Sequence, residues 1–303
     1  MTFDAAGVTA SPWVPFLWAL LVGLVFSTVG AAGGILAAVG HITVLGMSDA
    51  NMIKAMNQML VIVSPIVAVP AYWRQERLVP GLALLLGAGS IFGSVLGSWY
   101  SKTNLATLAQ YRPLFGLLTL FIAARLVYEA SRRFRQRHRK IRESSAAFED
   151  ARRGWPQARA LTVTWRVSDL RILFLGQEFT CRTVSAVLAG LLIAFVSAAL
   201  GVGGGFLLVP YLASWLQLPM FLVAGTSALS VLVASLVSVG NYLYLGVRID
   251  WLLAMVELGG VVVGSLAGPW VSGYMREQWL RLILAVVLFY TGISYAGGAW
   301  LAR

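Results

Sequence analysis

Long uncharged apolar runs broken by short polar turns dominate this chain. Eight runs stand out, in two sets of four. The first set is approximately Trp13–Val39, Met52–Trp73, Leu82–Tyr100 and Pro113–Tyr128. The second is approximately Val184–Leu216, Leu222–Leu245, Trp251–Tyr274 and Trp279–Trp300. Windows of about 20 apolar residues are what a helix needs to cross roughly 30 Å of hydrocarbon. In lipid every backbone N–H and C=O must find a partner within the protein, which leaves helices or closed barrels. Barrel strands alternate apolar and polar positions, and these runs are continuous. The pattern predicts an all-α polytopic membrane protein with about eight transmembrane helices in two repeats of four. One short stretch, Leu161–Val167 (LTVTWRV), alternates instead and predicts a small folded element with strand character.

Composition agrees. Hydrophobic residues make up 59% of the 303 positions and charged residues 12%, too few to clothe a water-exposed surface. No Lys or Arg precedes Lys54 and Asp4 sits near the start, so the first run reads as a retained helix rather than a cleaved signal. The net charge of +11 is local: residues 130–182 hold 13 Lys/Arg against 5 Asp/Glu. A basic loop beside a bilayer marks the cytoplasmic face and touches anionic lipid. Nucleic acid is therefore not an expected partner. Counting eight crossings outward from this loop places both termini in the cytoplasm and the protein in the inner membrane. The expected division is 1–129 for the first repeat, 130–182 for the basic loop and 183–303 for the second repeat. The lone Cys181 permits no internal disulfide, and no metal cluster or cofactor motif is present. Homo-oligomerisation is left open.

The repeat is visible residue by residue. Gly30–Gly34 (GAAGG) matches Gly201–Gly205 (GVGGG) at an offset of 171, and Gly93–Gly97 (GSVLG) matches Gly264–Gly268 (GSLAG) at the same offset. Asn57-Gln58 lies near Thr226-Ser227 with a slip of about two residues. Four spans per unit would make the halves parallel, unless a glycine-rich segment is a re-entrant hairpin, which changes the parity.

Glycines spaced four apart, as in Gly93/Gly97 and Gly264/Gly268, read as close helix contacts. The clusters differ. Four glycines in five residues with Pro210 close behind weaken a helix by roughly 1 kcal/mol per glycine, so broken helices are expected there. Unwound backbone at bilayer depth is tolerated where protein or a cavity surrounds it, and half-helix termini offer free N–H donors to anions. Glycine also lets a ligand reach the backbone. The candidate substrate-binding set is Gly30, Gly33, Gly34, Asn57, Gln58, Gly201, Gly203, Gly204, Gly205, Thr226 and Ser227. The spans almost lack carboxylates, which suits an anion better than a cation. Intramembrane ionisable groups attract a functional reading by default, so Glu257 and His41 are candidates for proton coupling. Against that stand a carboxylate paired at the membrane rim and a hydrogen-bonded structural histidine. Gly201–Gly205 is no dinucleotide fingerprint, because its third glycine would fall on Phe206, and no phosphate-binding GxxxxGK[ST] loop occurs.

These segments resemble the TauE/SafE family of sulfite and organosulfonate exporters. The second half carries the likeness in GVGGGFLLVPYL (Gly201–Leu212), AGTSALSV (Ala224–Val231), GVRIDW (Gly246–Trp251) and GGVVVGSLAG (Gly259–Gly268). The first half shows a degraded form, GAAGGILAAVGH (Gly30–His41), with Ala32 in place of a glycine and Val39 where Pro210 stands. The resemblance implies a secondary transporter exporting a small sulfur-containing anion such as sulfite or an organosulfonate. The alternative is a membrane-embedded enzyme acting on a lipid-like substrate, for which His41 and Glu257 form a thin catalytic inventory.

Overall fold

The structure is a computed structural model describing residues 1–29, 33–130, 161–166, 168–174, 177–274 and 277–301. Gly30 and Ala32 lie outside the described residues, as does most of the basic loop. A two-stranded ribbon, β1 (Thr2–Phe3) and β2 (Val8–Thr9), precedes the first helices. The first half continues with α1 (Trp13–Val29), α2 (Gly33–Val39) extended by a π-helical turn (Gly40–Val44), α3 (Ala50–Arg74), α4 (Pro80–Asn104) and α5 (Leu108–Ala130). An antiparallel meander follows, β3 (Leu161–Trp165), β4 (Asp169–Phe174) and β5 (Gln177–Arg182). The second half holds α6 (Thr183–Leu200), α7 (Gly205–Pro210) with a π-helical turn (Tyr211–Trp215), α8 (Met220–Tyr244), α9 (Trp251–Tyr274) and α10 (Glu277–Leu301). The same order of element types thus occurs twice. Among the described residues, α3, α4, α5, α6 and α8 are long and apolar enough to cross a membrane, while α1, α2, α7, α9 and α10 carry shorter apolar stretches.

Local chemistry explains the boundaries. Asp49 accepts from the N–H groups of Asn51 and Met52 to start α3, and Asp250 accepts from that of Leu253 to start α9. Pro80 opens α4, where a missing N–H costs nothing. Gly201 closes α6 in the left-handed conformation (φ +67°), the usual helix stop.

The two glycine-rich segments are hairpins, and this changes the topology expected from eight crossings. α2 returns along α1: a Cβ at Gly33 would meet Phe26, one at Gly40 would meet Trp18, and Trp18 Nε1 donates to Leu36 O (3.1 Å). α7 returns along α6, since Gly204 lies beside Ile193 and Ser197, and Tyr211 Oη sits 3.1 Å from Ser185 Oγ. Each hairpin enters and leaves at one end of the bundle. The other six helices run end to end, roughly 37 Å for the 25 residues of α3.

Glycine contacts fix the directions. Gly89, Gly93 and Gly97 of α4 face Val187, Leu191 and Phe195 of α6, so these helices are parallel. Gly260 and Gly264 of α9 face Phe16 and Leu20 of α1, again parallel. Phe115 packs on Tyr295 and Gly116 on Gly292, so α5 and α10 are antiparallel. Gln58 meets Ser235 while Tyr72 lies by Gly225, making α3 and α8 antiparallel. The second half therefore runs opposite to the first rather than parallel to it. One arm of each hairpin also packs on the other half, α1 on α9 and α6 on α4, so the halves interlock.

The two ends of the bundle differ. At one, Ala6 N donates to Asp250 Oδ2 (3.0 Å), and the buried Phe3 anchors the ribbon over the α8–α9 connection. At the other, the β3–β5 meander covers the α3–α4 turn, with Trp165 against Gly81. The N-terminal ribbon and the meander sit at opposite ends. α10 finishes at the ribbon end, beside Arg112 at the start of α5. The N-terminal ribbon and the end of α10 are thus on the far side from the meander, whereas eight crossings put both termini on one side with the basic loop.

Candidate functional site at the glycine hairpins

The hairpin tips touch. A Cβ at Gly34 would lie 2.2 Å from the carbonyl oxygen of Val202 and 2.8 Å from Val61 of α3, so the first hairpin's backbone rests on the second hairpin's tip. Only glycine permits that approach. Gly201 (φ +67°) and Gly203 (φ +74°) fold the second tip, with Gly201 against Lys54 and Gly203 against Val61. Gly204 (φ −80°) has ordinary room, its nearest neighbour being Ile193 at 3.4 Å. Gly205 is buried at the start of α7.

The end of α6 at this depth would leave unsatisfied carbonyls, and four helices supply donors. Gln58 Nε2 donates to Ser197 O (2.9 Å), Tyr242 Oη to Ala198 O (2.8 Å), Ser101 Oγ to Ala199 O (2.8 Å) and Tyr111 Oη to Leu200 O (2.9 Å). Gln58 is held in turn by Ser235 Oγ, which donates to its Oε1 (2.9 Å). Lys54, fully buried, donates to Ser101 Oγ and to Leu105 O (2.8 Å) and lies over the Tyr111 ring. An ammonium here complements the negative C-terminal ends of α4 and α6. Arg125 of α5 donates to Phe206 O on the second hairpin.

Asn57, next to Gln58, faces the other hairpin. His41 Nδ1 is 2.6 Å from Asn57 Oδ1, and His41 Nε2 approaches Glu257 Oε1 at 2.8 Å and Oε2 at 3.0 Å. All three residues are buried. Both His41 nitrogens face acceptors, so Nδ1–H donates to Asn57 and Nε2 shares a proton with the carboxylate. Asn57 Nδ2 is a buried donor without a hydrogen-bond partner. Glu257 is buried and paired, and its partner is residue 41 of the other half rather than a residue of its own helix.

The structure gathers Gly33, Gly34, Asn57, Gln58, Gly201, Gly203, Gly204 and Gly205 around the tips, with His41 and Glu257 at the first hairpin's stem. Gly30 lies outside the described residues. Thr226 and Ser227 do not join: Thr226 Oγ1 accepts from Val79 N (3.1 Å) to cap α4, and Ser227 Oγ donates to Ala224 O. They sit about 13 Å along α8 from Ser235, nine residues at 1.5 Å each. Sequence reasoning did not count Lys54 among the site residues. The available signal was spacing, because Lys54, Asn57, Gln58 and Val61 share one helical face. Among the described residues no group of His, Cys, Asp and Glu could hold a metal ion.

Comparison with known proteins gives the family. The sulfite exporter TauE/SafE family profile matches residues 15–295. The probable membrane transporter protein YunE of Bacillus subtilis (strain 168) is 24% identical over 286 residues, covering 90% of this chain and 93% of that protein. The probable membrane transporter protein y4hK of Sinorhizobium fredii (strain NBRC 101917 / NGR234) is 33% identical over 120 residues, 36% of this chain and 44% of that protein. No solved structure matches. The chain is a multi-pass membrane transporter, not an enzyme, and belongs to the TauE/SafE sulfite exporter family.

Proposed function

We propose that the chain exports a small sulfur-containing anion, sulfite or an organosulfonate, through a site at the two hairpin tips. The observation carrying this reading is the meeting of the two glycine breaks, backbone on backbone, with Gln58 alongside. Backbone bare of side chains at the glycines suits the close approach of a small anion, and among the described residues no carboxylate lies in the glycine contacts at the tips. The two halves act as an inverted duplicate, six end-to-end helices and two hairpins, and alternate access by rocking one half against the other.

Orientation follows from charge. The basic loop lies at the meander end, where Arg74 and Arg77 of the α3–α4 turn add to it, and this end faces the cytoplasm. Both termini then face outward. With Cys181→Ser as background, Asp4→Cys should react with an impermeant maleimide in intact cells, and Glu178→Cys only after the inner face is opened. The reverse pattern overturns the orientation.

Energetics favour export. A dianion leaving an inside-negative cell gains about 4.6 kcal/mol per 100 mV, more than three decades of concentration ratio. Proteoliposomes loaded with radiolabelled sulfite should lose it when a potential is imposed, and unlabelled sulfate and thiosulfate in competition define the selectivity. Absence of flux for every sulfur anion in protein that remains folded sinks the reading.

A further inference from the structure

Between the α3–α4 turn and β3 lies a cavity of about 580 Å³, with Trp73, Glu76 and Pro80 on one wall and Val163 and Trp165 on the other. That volume falls in the range of small-ligand pockets. Both indoles are more than half exposed, and Glu76 alone among the lining residues is charged. Trp73 belongs to the last turn of α3, a helix long enough to span, so the cavity lies where indoles gather at the membrane–water interface.

The turn holding Glu76 carries a strain that its counterpart in the second half avoids. After α3, Glu76 N donates to Trp73 O (3.1 Å) and Arg77 N to Tyr72 O (2.9 Å). After α8, Gly246 N donates to Leu243 O (2.9 Å) and Val247 N to Tyr242 O (3.0 Å). One helix-stop motif is built twice, and its left-handed position favours glycine. Gly246 (φ +79°) obeys that preference, whereas Glu76 takes φ +54° with a full side chain. A turn that only had to end a helix would carry glycine in both places. Backbone strain of this kind clusters at binding sites, and here the strained residue is the one that gives the cavity its charge.

We infer that this cavity binds the ammonium headgroup of a membrane lipid, with the Glu76 carboxylate pairing with the cation and the Trp73 and Trp165 rings packing on it. An indole face attracts a cation through its quadrupole, and the carboxylate supplies the counter-charge. The surroundings suit a zwitterion better than a bare amine. An arginine follows each tryptophan, Arg74 and Arg166, both exposed, and guanidinium groups are strong partners for a headgroup phosphate. Arg77 is engaged elsewhere, over the Tyr72 ring and donating to Gln75 Oε1 (3.4 Å). A negative residue in the wall with positive residues flanking each indole is the complement of a phosphatidylethanolamine headgroup. One wall is the turn between two spanning helices and the other is the meander, so a bound headgroup holds the meander against the bundle.

The inference depends on neither the transported anion nor the direction of transport, and the response to lipid tests it. The purified full chain in detergent is titrated with dihexanoyl phosphatidylethanolamine, dihexanoyl phosphatidylglycerol or O-phosphoethanolamine while its melting temperature is followed. The ethanolamine lipid should stabilise the wild type at a half-maximal concentration about tenfold below that of the glycerol lipid, and the free headgroup should do little. Glu76→Gly is the sharpest arm, because it gives the turn the glycine that its counterpart has. Without lipid this variant should melt at or above the wild type. Its response to the ethanolamine lipid should nonetheless weaken about tenfold. Trp165→Ala should lose the same preference, and Glu178→Gln elsewhere on the meander should keep it. Equal stabilisation of the wild type by the two lipids overturns the inference, and this arm needs no variant to fold. An undiminished ethanolamine preference in Glu76→Gly also overturns it, leaving the glutamate as part of the turn alone. Equal half-maximal concentrations for O-phosphoethanolamine and the ethanolamine lipid overturn the lipid as occupant in favour of a soluble amine.

Discussion

At the stem of the first hairpin a histidine meets a glutamate, and 171 residues away in register the corresponding positions are both leucine. Leu212 answers His41 and Leu86 answers Glu257, and both leucines are fully buried in the apolar core around the second hairpin. The second hairpin is also tied at its tip, where the last four carbonyls of α6 receive side chains from α3, α4, α5 and α8. Leucine packing in a membrane rests on van der Waals contact that is the same at any pH, and nothing in it responds to an ion. Removing one member of a buried ion pair costs about 3–5 kcal/mol because the other charge is left unpaired, so this contact responds to charge where the leucines do not. Two hairpins of one design therefore differ in what can release them. The first is releasable by chemistry and the second is anchored by packing.

The largest test of this comparison is at the point where the hairpins touch. Gly34→Leu drives a side chain into Val202 O, a backbone atom with no rotamer to escape through. Overpacking of this kind costs about 3 kcal/mol, and more where the obstacle is backbone. We expect the variant to melt far below the wild type in detergent and to carry no sulfite flux. Normal melting with normal flux would show that the tips part easily, and the anchored role of the second hairpin would fall.

Much of this was legible in the sequence. Uninterrupted apolar runs announced the helices, and the glycine cluster at Gly201–Gly205 announced the break between α6 and α7. The alternation at Leu161–Val167 corresponds to β3. The sense of the halves was not legible, because a run such as Val184–Leu216 reads equally as one broken rod or as two antiparallel arms. Hydropathy records how much apolar surface a segment has and not which way it turns, and one unseen reversal in each half inverts every later side assignment. His41–Glu257 was hidden for a related reason: the partners are separated by 216 residues and meet only because α1 of one half packs on α9 of the other. Lys54 was passed over because a cation near the end of an apolar run looks like a topology marker. In fact α3 begins four residues earlier and buries it.

The smallest expected effect sharpens the comparison most, and it concerns Gly204. This glycine has a right-handed backbone (φ −80°, ψ −9°), and a Cβ there would meet only ordinary contacts, Ile193 at 3.4 Å and Ser197 at 3.8 Å. Gly204→Ala should therefore be tolerated and should stabilise by about 0.5 kcal/mol through a less disordered unfolded chain. A longer side chain separates packing from transport. Gly264→Leu, the control, would push into Leu20 O, where a Cβ already lies 2.0 Å from the oxygen, and should melt early. Gly204→Leu begins from open contacts, so its ligand-free melting should stay within a few degrees of wild type. Its flux and its stabilisation by sulfite should nonetheless disappear, because the side chain occupies the space from which an anion would approach the α7 N–H groups. Normal flux in Gly204→Leu would mean that these glycines only fold the hairpin and that the anion does not bind at the tips.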